Sequence, residues 1–242
     1  MIHSLLFTPA IHNGRKYDKI ESDYCRNGIG YGIIGTVGAL AEQESLIKRN
    51  GGHMLKLEFD KNQIEEVIDK IVNMDLTWDW PCGVAYYGIG EAYEKTGKEE
   101  YLNLLKDRVD ELIDLGLPKV WTVNACAMGH CLITLYKATG DKKYYDILMS
   151  KVDYIQHDAL RFGDHVLQHT VSANNDFPEQ AWADTLFMAA FLLLRVGVMN
   201  KDEEMIDDAL NQWYWHIKYL QNPSSGFYYH GYNNITKDHM SG

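Results

Sequence analysis

Apolar and charged positions divide the chain into helical segments of two kinds. Residues 84–93 and 125–136 carry almost no charge, whereas residues 99–115 and 142–155 mix charged and apolar positions at helical spacing. A helix that is apolar on all sides is buried, and an amphipathic helix covers it. The pattern therefore predicts two pairs of helices, each with a buried inner helix and a covering outer helix.

The two pairs are related by a repeat of 43 residues. The recurring positions share residue type and spacing: Tyr93, Thr96-Gly97, Tyr101 and Val109-Asp110 fall on Tyr136, Thr139-Gly140, Tyr144 and Val152-Asp153. Repetition at a fixed period is typical of stacked supersecondary units, and glycine after threonine predicts the left-handed end of each inner helix. Residues 182–196 and 202–220 predict a third, diverged pair, and residues 62–73 an earlier amphipathic helix. We therefore expect an all-α toroid of inner and outer helices.

Two regions do not follow the helical pattern. Residues 161–175 have no helical period, which predicts a short hairpin or a long loop at the mouth of the toroid, where long loops often carry function. Residues 1–60 are of uncertain structure.

Composition excludes several classes of protein. Among 242 residues, 46% are apolar, enough for the core of one large domain. The formal charge of -11 and the lack of a Lys/Arg cluster exclude nucleic acid as a partner. No run of eighteen apolar residues predicts a membrane span, and no basic leader begins the chain, so we expect a cytoplasmic protein. Four cysteines without a CxxC pair predict buried free thiols.

Two motifs have the spacing of cofactor sites without the right surroundings. Gly30 to Gly35 matches GxGxxG, but no apolar strand precedes it as a dinucleotide site requires. His165 and His169 are four residues apart, which suits a metal on a helix, but their neighbours predict extended chain. We therefore expect no nicotinamide, flavin or metal cofactor.

Asp184 is the strongest catalytic candidate. It lies in the apolar segment 182–191, and a carboxylate on a buried surface is costly unless it is paired, hydrogen-bonded or protonated. Asp176 and Glu179 have capping-box spacing around Pro178, which predicts a helix start there. Asp184 would then lie about two turns into an inner helix and point into the central cavity. A structural aspartate bonded to a loop backbone is the alternative.

Aromatic residues near the same mouth suit a sugar site. Trp78, Trp80, Trp121 and Trp182 could each be core, but as a group they offer the faces on which pyranose rings stack. His230 follows the last outer helix and returns to that mouth, where a hydrogen-bonded structural role is the alternative.

These segments resemble glycoside hydrolase family 105 over residues 60 to 235. The motifs that carry the resemblance are Trp78-Asp-Trp-Pro-Cys-Gly-Val84, the Tyr-x-x-Thr-Gly-x-x-x-Tyr repeats, Val123-Asn-Ala-Cys-Ala127, Trp182-Ala-Asp-Thr-Leu-Phe-Met188, His216-Ile-Lys-Tyr-Leu220 and Gly226-Phe-Tyr-Tyr-His-Gly231. The resemblance implies a six-pair (α/α)6-barrel. It also implies an unsaturated rhamnogalacturonyl or galacturonyl hydrolase, whose substrate is a pectin oligosaccharide ending in an unsaturated uronic acid.

The resemblance also assigns roles to single positions. Asp184 occupies the place of the general acid and base, and Asn124 stands where some members carry a second aspartate. The positions at or near the pocket for the unsaturated sugar are Trp80, Asn124, His169, Trp182 and His230.

One departure from the family concerns length. Family members continue with a Trp-Ala-Arg-x-x-x-Trp segment, whereas this sequence ends at Gly242. We therefore expect a leader over residues 1–60, a partial barrel catalytic domain over 61–242, and self-association through the incomplete barrel. Two alternatives stay open: another carbohydrate-active toroid such as a lyase or a saturated-sugar hydrolase, and a non-catalytic truncated family member.

Overall fold

The predicted inner and outer helices are present in a computed structural model, which describes residues 61–240 of the chain. The α-helices are α1 (Lys61–Val72), α2 (Trp80–Thr96), α3 (Glu99–Leu115), α4 (Val123–Cys126), α5 (Gly129–Thr139), α6 (Lys142–Asp153), α7 (Leu192–Asn200) and α8 (Glu203–Leu220). Wider π-helical turns follow α6 at Tyr154–Asp158 and precede α7 at Leu186–Phe191. The strands are β1 (Arg161–Phe162), β2 (Val166–Leu167), β3 (Gln180–Trp182), β4 (Gly231–Asn233) and β5 (Asp238–Met240). The all-α class is confirmed.

The starts of two inner helices are fixed by side chains that are 43 residues apart. Asp79 caps α2, where its carboxylate accepts a hydrogen bond from Trp80 N at 2.8 Å. Thr122 caps α4 in the same way and accepts from Ala125 N at 3.1 Å. Such caps satisfy backbone donors that a helix start leaves unpaired. Since inner and outer helices alternate in direction, both caps lie at the same end of the helical layer, here called the mouth.

The glycines of the Thr-Gly pairs end the inner helices as predicted. Gly97 and Gly140 have φ of 66° and 70°, and their N–H groups donate to the carbonyls of Tyr93 and Tyr136. Left-handed backbone of this kind strongly favours glycine.

The core lies between the inner and outer helices. Helix α3 buries Leu102, Leu105, Val109 and Leu112 against the inner layer. Inner helices approach closely at Gly83, where an added Cβ would lie 2.5 Å from the Ala127 Cβ. The close approach brings the starts of α2 and α4 together at the mouth.

Residues 161–167 form a short hairpin, which is one of the two forms predicted for residues 161–175. Strands β1 and β2 pair antiparallel, with Arg161 opposite Leu167. The Arg161 guanidinium bonds both oxygens of Asp208 on α8, at 3.0 and 2.9 Å, which fixes the hairpin to the outer helix. Strands β3, β4 and β5 form a second antiparallel sheet, in which Trp182 lies opposite Gly231.

The predicted start of the third inner helix was wrong. Asp176 and Glu179 do not form a capping box, because Glu179 has φ of 52° and residues 180–182 form strand β3 instead. Pairing with β4 satisfies the backbone of this strand, so helical-type hydrogen bonding begins only after it. The Ala183 carbonyl accepts from Leu186 N at 3.2 Å, and the Asp184 carbonyl accepts from Phe187 N and Met188 N at 3.0 Å each. The second inner helix is also divided, into α4 and α5.

Several expectations fall partly or wholly outside the described residues. The leader over 1–60, the GxGxxG segment and Cys25 lie there, whereas Cys82, Cys126 and Cys131 are buried free thiols, as expected. Among the described helices, none combines the length and apolar character needed to cross a bilayer.

Candidate active site

Asp184 lies in the turn between strand β3 and the π-helical turn, at the mouth end of the third inner helix. Its Oδ1 is buried and has no hydrogen-bond partner within the described part of the chain. The side chain as a whole is 35% exposed, so the exposure falls on its other atoms. An acceptor left unpaired in a buried position is costly, and such groups are retained where a ligand or a reaction uses them.

His169 is a titratable neighbour of this carboxylate. Its Nδ1 lies 3.6 Å from Asp184 Oδ1 and 3.1 Å from the Thr185 hydroxyl oxygen. The imidazole is 1% exposed, and burial lowers its pKa below the ordinary value although the Asp184 charge acts in the opposite direction. The site therefore places a buried imidazole, whose neutral form is favoured, beside the Asp184 carboxyl group.

Trp182 forms a platform beside these two groups. Its ring stacks on His169 with centroids 4.4 Å apart and planes 2° apart, and Phe177 packs at 4.8 Å. The indole N–H donates to Gln180 Oε1 at 3.0 Å, which fixes the ring. The platform is thus held by its neighbours before any ligand binds.

His230 is brought to this platform by the β3–β4 pairing. Its carbonyl accepts from Ala183 N at 2.9 Å, and its ring lies 5.0 Å from that of Trp182. The side chain is exposed and so available to a ligand.

Asn124 lies across the mouth on α4 and is connected to His169 through the next residue. The Thr170 carbonyl accepts from Asn124 N at 3.2 Å, and the Thr170 hydroxyl accepts from Val123 N at 2.9 Å. The Asn124 side chain is buried, and its Oδ1 has no hydrogen-bond partner among the described residues. Asn124 and Asp184 thus each have a buried oxygen without a hydrogen-bond partner among the described residues. Residues 169–170 contact both segments, because Thr170 bonds the Asn124 backbone and His169 lies beside Asp184.

The four candidate tryptophans have different environments. Trp78 is buried in the core, and Trp121 is half-buried with its ring packed edge to face against Trp78, the centroids 6.0 Å apart. Trp80 is 46% exposed at the first position of α2, and Trp182 is half-buried beside His169. Trp80, which is exposed, and Trp182, which lies beside His169, are the two members of the group that best fit the predicted stacking on a sugar.

Asp79 is a further candidate that the sequence motifs did not point to. Its charge acts to raise the pKa of His169, against the larger lowering caused by burial. It also lines an open groove of about 420 Å³ with Lys119, Thr122 and Ser172. The 43-residue register could have identified it, because Asp79 and Thr122 are equivalent capping positions.

Comparison with known proteins decides the family. The sequence model of Glycosyl Hydrolase Family 88 matches residues 52–242. The chain belongs to this family. The chain is also 46% identical over 194 residues to the unsaturated rhamnogalacturonyl hydrolase YesR of Bacillus subtilis, a match that covers 78% of this chain and 56% of YesR. The chain thus spans about half the length of this curated relative.

Solved structures show that the helical fold of this chain is shared with other glycoside hydrolases. A Klebsiella pneumoniae protein described as a possible member of family 105 has a TM-score of 0.67 at 21% identity, and the match covers 77% of this chain and 55% of that one. The family 76 α-1,6-mannanase of a Salegentibacter species has a TM-score of 0.58 at 18% identity, covering 73% and 56%. The toroid therefore hosts more than one activity, and the substrate must be inferred from the site.

Proposed function

We propose that the chain carries the catalytic site of a hydrolase acting on pectin oligosaccharides that end in a 4,5-unsaturated uronic acid. The observation that supports this most directly is the buried, unpaired Oδ1 of Asp184 beside the fixed stack of Trp182 and His169. The name and sequence identity of the Bacillus subtilis relative support the substrate class.

A single carboxylate is sufficient for this chemistry. The double bond between C4 and C5 is a vinyl ether, so protonated Asp184 can deliver its proton to C4 and leave a cation at C5 stabilised by the ring oxygen. Water then adds at C5 while the Asp184 carboxylate accepts its proton. The resulting hemiketal opens, and the remainder of the saccharide leaves. Asn124 cannot act as a second acid, which this route does not need.

The other site residues would bind and orient the sugar. Trp182 and Trp80 offer indole faces to the apolar side of a pyranose ring, and exposed His230 can hydrogen-bond its hydroxyl groups. His169, neutral and fully enclosed, would keep the Asp184 carboxyl group oriented rather than supply charge. Asn124 would donate or accept one hydrogen bond through its buried amide.

The test follows the conjugated double bond of unsaturated digalacturonate by its ultraviolet absorbance. Wild-type chain is expected to consume the absorbance, whereas a lyase acting on saturated pectin would create it. Asp184→Asn is expected to lower kcat at least about 100-fold, the lower range for loss of general acid–base catalysis. Its melting temperature should stay near that of wild type, because asparagine keeps the size and one acceptor oxygen.

Asp153→Asn serves as the matched control. Asp153 is 71% exposed on outer helix α6, so its substitution should change neither kcat nor stability. Turnover by Asp184→Asn equal to that of this control would contradict the catalytic role. Failure of the wild-type chain to consume the double bond would contradict the proposed function itself. The self-association expected from the sequence remains a separate prediction, which sedimentation velocity tests.

A further inference from the structure

Lys151 belongs to outer helix α6, yet its ammonium group is buried beneath the mouth. It donates to the Ala125 carbonyl at 2.8 Å and lies 3.5 Å from the centroid of the Trp121 ring and 5.2 Å from that of Trp78. A cation within about 6 Å of an indole face is attracted to it. Lys151 therefore contacts both segments from which neighbouring inner helices start.

The environment of Lys151 makes its charge costly. Within the described residues it forms no ion pair with a carboxylate, and its exposure is 0%. The titratable groups facing it are the thiols of Cys126 and Cys131, whose pKa values burial raises to about 12, so both are neutral. Burial lowers the pKa of Lys151 itself to about 8. A methionine could fill the same space without this desolvation cost, so stability alone does not explain a lysine here.

Side chains on the other outer helices also donate hydrogen bonds to backbone carbonyls of loop segments. Arg108, 43 residues before Lys151, donates to the Met74 carbonyl at 3.3 Å. Gln212 on α8 donates to the His165 carbonyl at 3.0 Å. Each of the three side chains reaches inward from an outer helix to the backbone of a mouth segment. Of the three, Lys151 bonds the segment that carries Asn124.

The two segments held by Lys151 carry candidate site residues. Ala125 adjoins Asn124 within the four-residue helix α4, so the two move together. Trp78 precedes Asp79 and Trp80, and its ring is anchored from the other side by its N–H bond to the Gly116 carbonyl at 3.0 Å. Movement at Lys151 would therefore shift Asn124 relative to Trp80.

We propose that Lys151 is a positioning residue of the candidate active site. It holds α4 through the Ala125 carbonyl and the start of α2 through the Trp78 ring, and so sets the spacing between Asn124 and Trp80 across the mouth. The inference rests on the proposed function, because that spacing matters for catalysis only if a sugar occupies it.

The test compares Lys151→Met with Arg108→Met, the matched change one repeat earlier. In Lys151→Met, amide hydrogen exchange over residues 122–127, followed by mass spectrometry, should become about tenfold faster, because the hydrogen bond to the Ala125 carbonyl is lost. KM for unsaturated digalacturonate should rise about tenfold with kcat within about threefold, because ground-state contacts are displaced and Asp184 is not. The melting temperature should change little, since relief of desolvation offsets the lost hydrogen bond. Arg108→Met should leave exchange at 122–127 at the wild-type rate, because Arg108 bonds the Met74 carbonyl before α2 and not α4.

The outcomes separate this inference from the proposed function. A wild-type chain without turnover refutes the proposed function, while exchange at 122–127 still decides whether Lys151 holds α4. Wild-type exchange and KM in Lys151→Met overturn the inference. It is also overturned if Arg108→Met speeds exchange at 122–127 as much as Lys151→Met does. If Lys151→Met does not fold, Lys151→Gln replaces it: wild-type exchange at 122–127 again overturns the inference, and faster exchange there supports it.

Discussion

The close approach of the inner helices makes Gly83→Ala a sharp test of the packing at the mouth. The new Cβ would lie 2.5 Å from the Ala127 Cβ, 2.7 Å from the Ala127 carbonyl carbon and 2.8 Å from Met128 N. Two of these neighbours are backbone atoms, so a change of rotamer cannot relieve the overlap. Since carbon atoms pack at about 3.5–4.0 Å, the backbones must separate by about 1 Å.

The expected cost follows from this separation. Overpacking of a core typically destabilises by about 1–3 kcal/mol, and for a domain of this size each kcal/mol lowers the melting temperature by about 2–4 °C. Gly83→Ala should therefore melt about 2–12 °C below wild type by circular dichroism. Because Ala127 adjoins α4, exchange at Asn124 should also become faster.

Gly88→Ala on the same helix is the control. Apart from its chain neighbours and the nearby backbone of its own helix, no described atom lies within 4 Å of a Cβ built there, so the change removes only the conformational freedom of a helical glycine. It should stabilise by about 0.5–1 kcal/mol. If Gly83→Ala melted at or above wild type, the reasoning from the close approach would be refuted.

Three further predictions concern charge and metal. Burial lowers the pKa of His130 to about 3, so its contribution to stability is complete above pH 6.5 and is lost as the pH falls toward 3, by about 1.4 kcal/mol per pH unit. Urea unfolding at pH 7 and pH 5 should show this loss, and His130→Gln should reduce it. Arg161→Lys removes the bidentate hydrogen bonding to the Asp208 carboxylate and should lower the free energy of unfolding by about 1–3 kcal/mol. An unchanged urea midpoint would contradict this. A chelator should leave turnover of unsaturated digalacturonate unchanged, and inhibition reversed by added metal would show otherwise.

The helical layer was predictable because its signals are local. Helix α3 has the predicted bounds, and α8 begins one residue after its capping Asp202, since apolar spacing, caps and Thr-Gly ends all lie within the segments they organise. Each of these features acts over one or two turns of chain.

The surroundings of Asp184 were not predictable in the same way. The residue itself was identified from its apolar segment, but strand β3 forms by pairing with β4, about fifty residues later. A capping-box pattern at 176–179 favoured a helix, and the distant pairing prevailed. The stack of Trp182 on His169 likewise depends on the hairpin and this sheet meeting in space.

Lys151 could have been found from the sequence in part. It lies on the apolar stripe of its helix, three and four positions after Leu148 and Ile147, which is unusual for a lysine. That position indicates burial but does not indicate the carbonyl or the indoles that receive the ammonium group. Those partners come from other segments of the chain.

The π-helical turn Leu186–Phe191 lets the third inner helix absorb a change in chain length. Such a turn holds one more residue than the α-helical turn it replaces. Because the extra residue is accommodated within the turn, the residues before and after it stay in phase. Deleting one residue of the turn should therefore restore α-helical geometry and leave Asp184 facing His169. A one-residue deletion within α7 would instead rotate everything before it by about 100° relative to the rest of that helix.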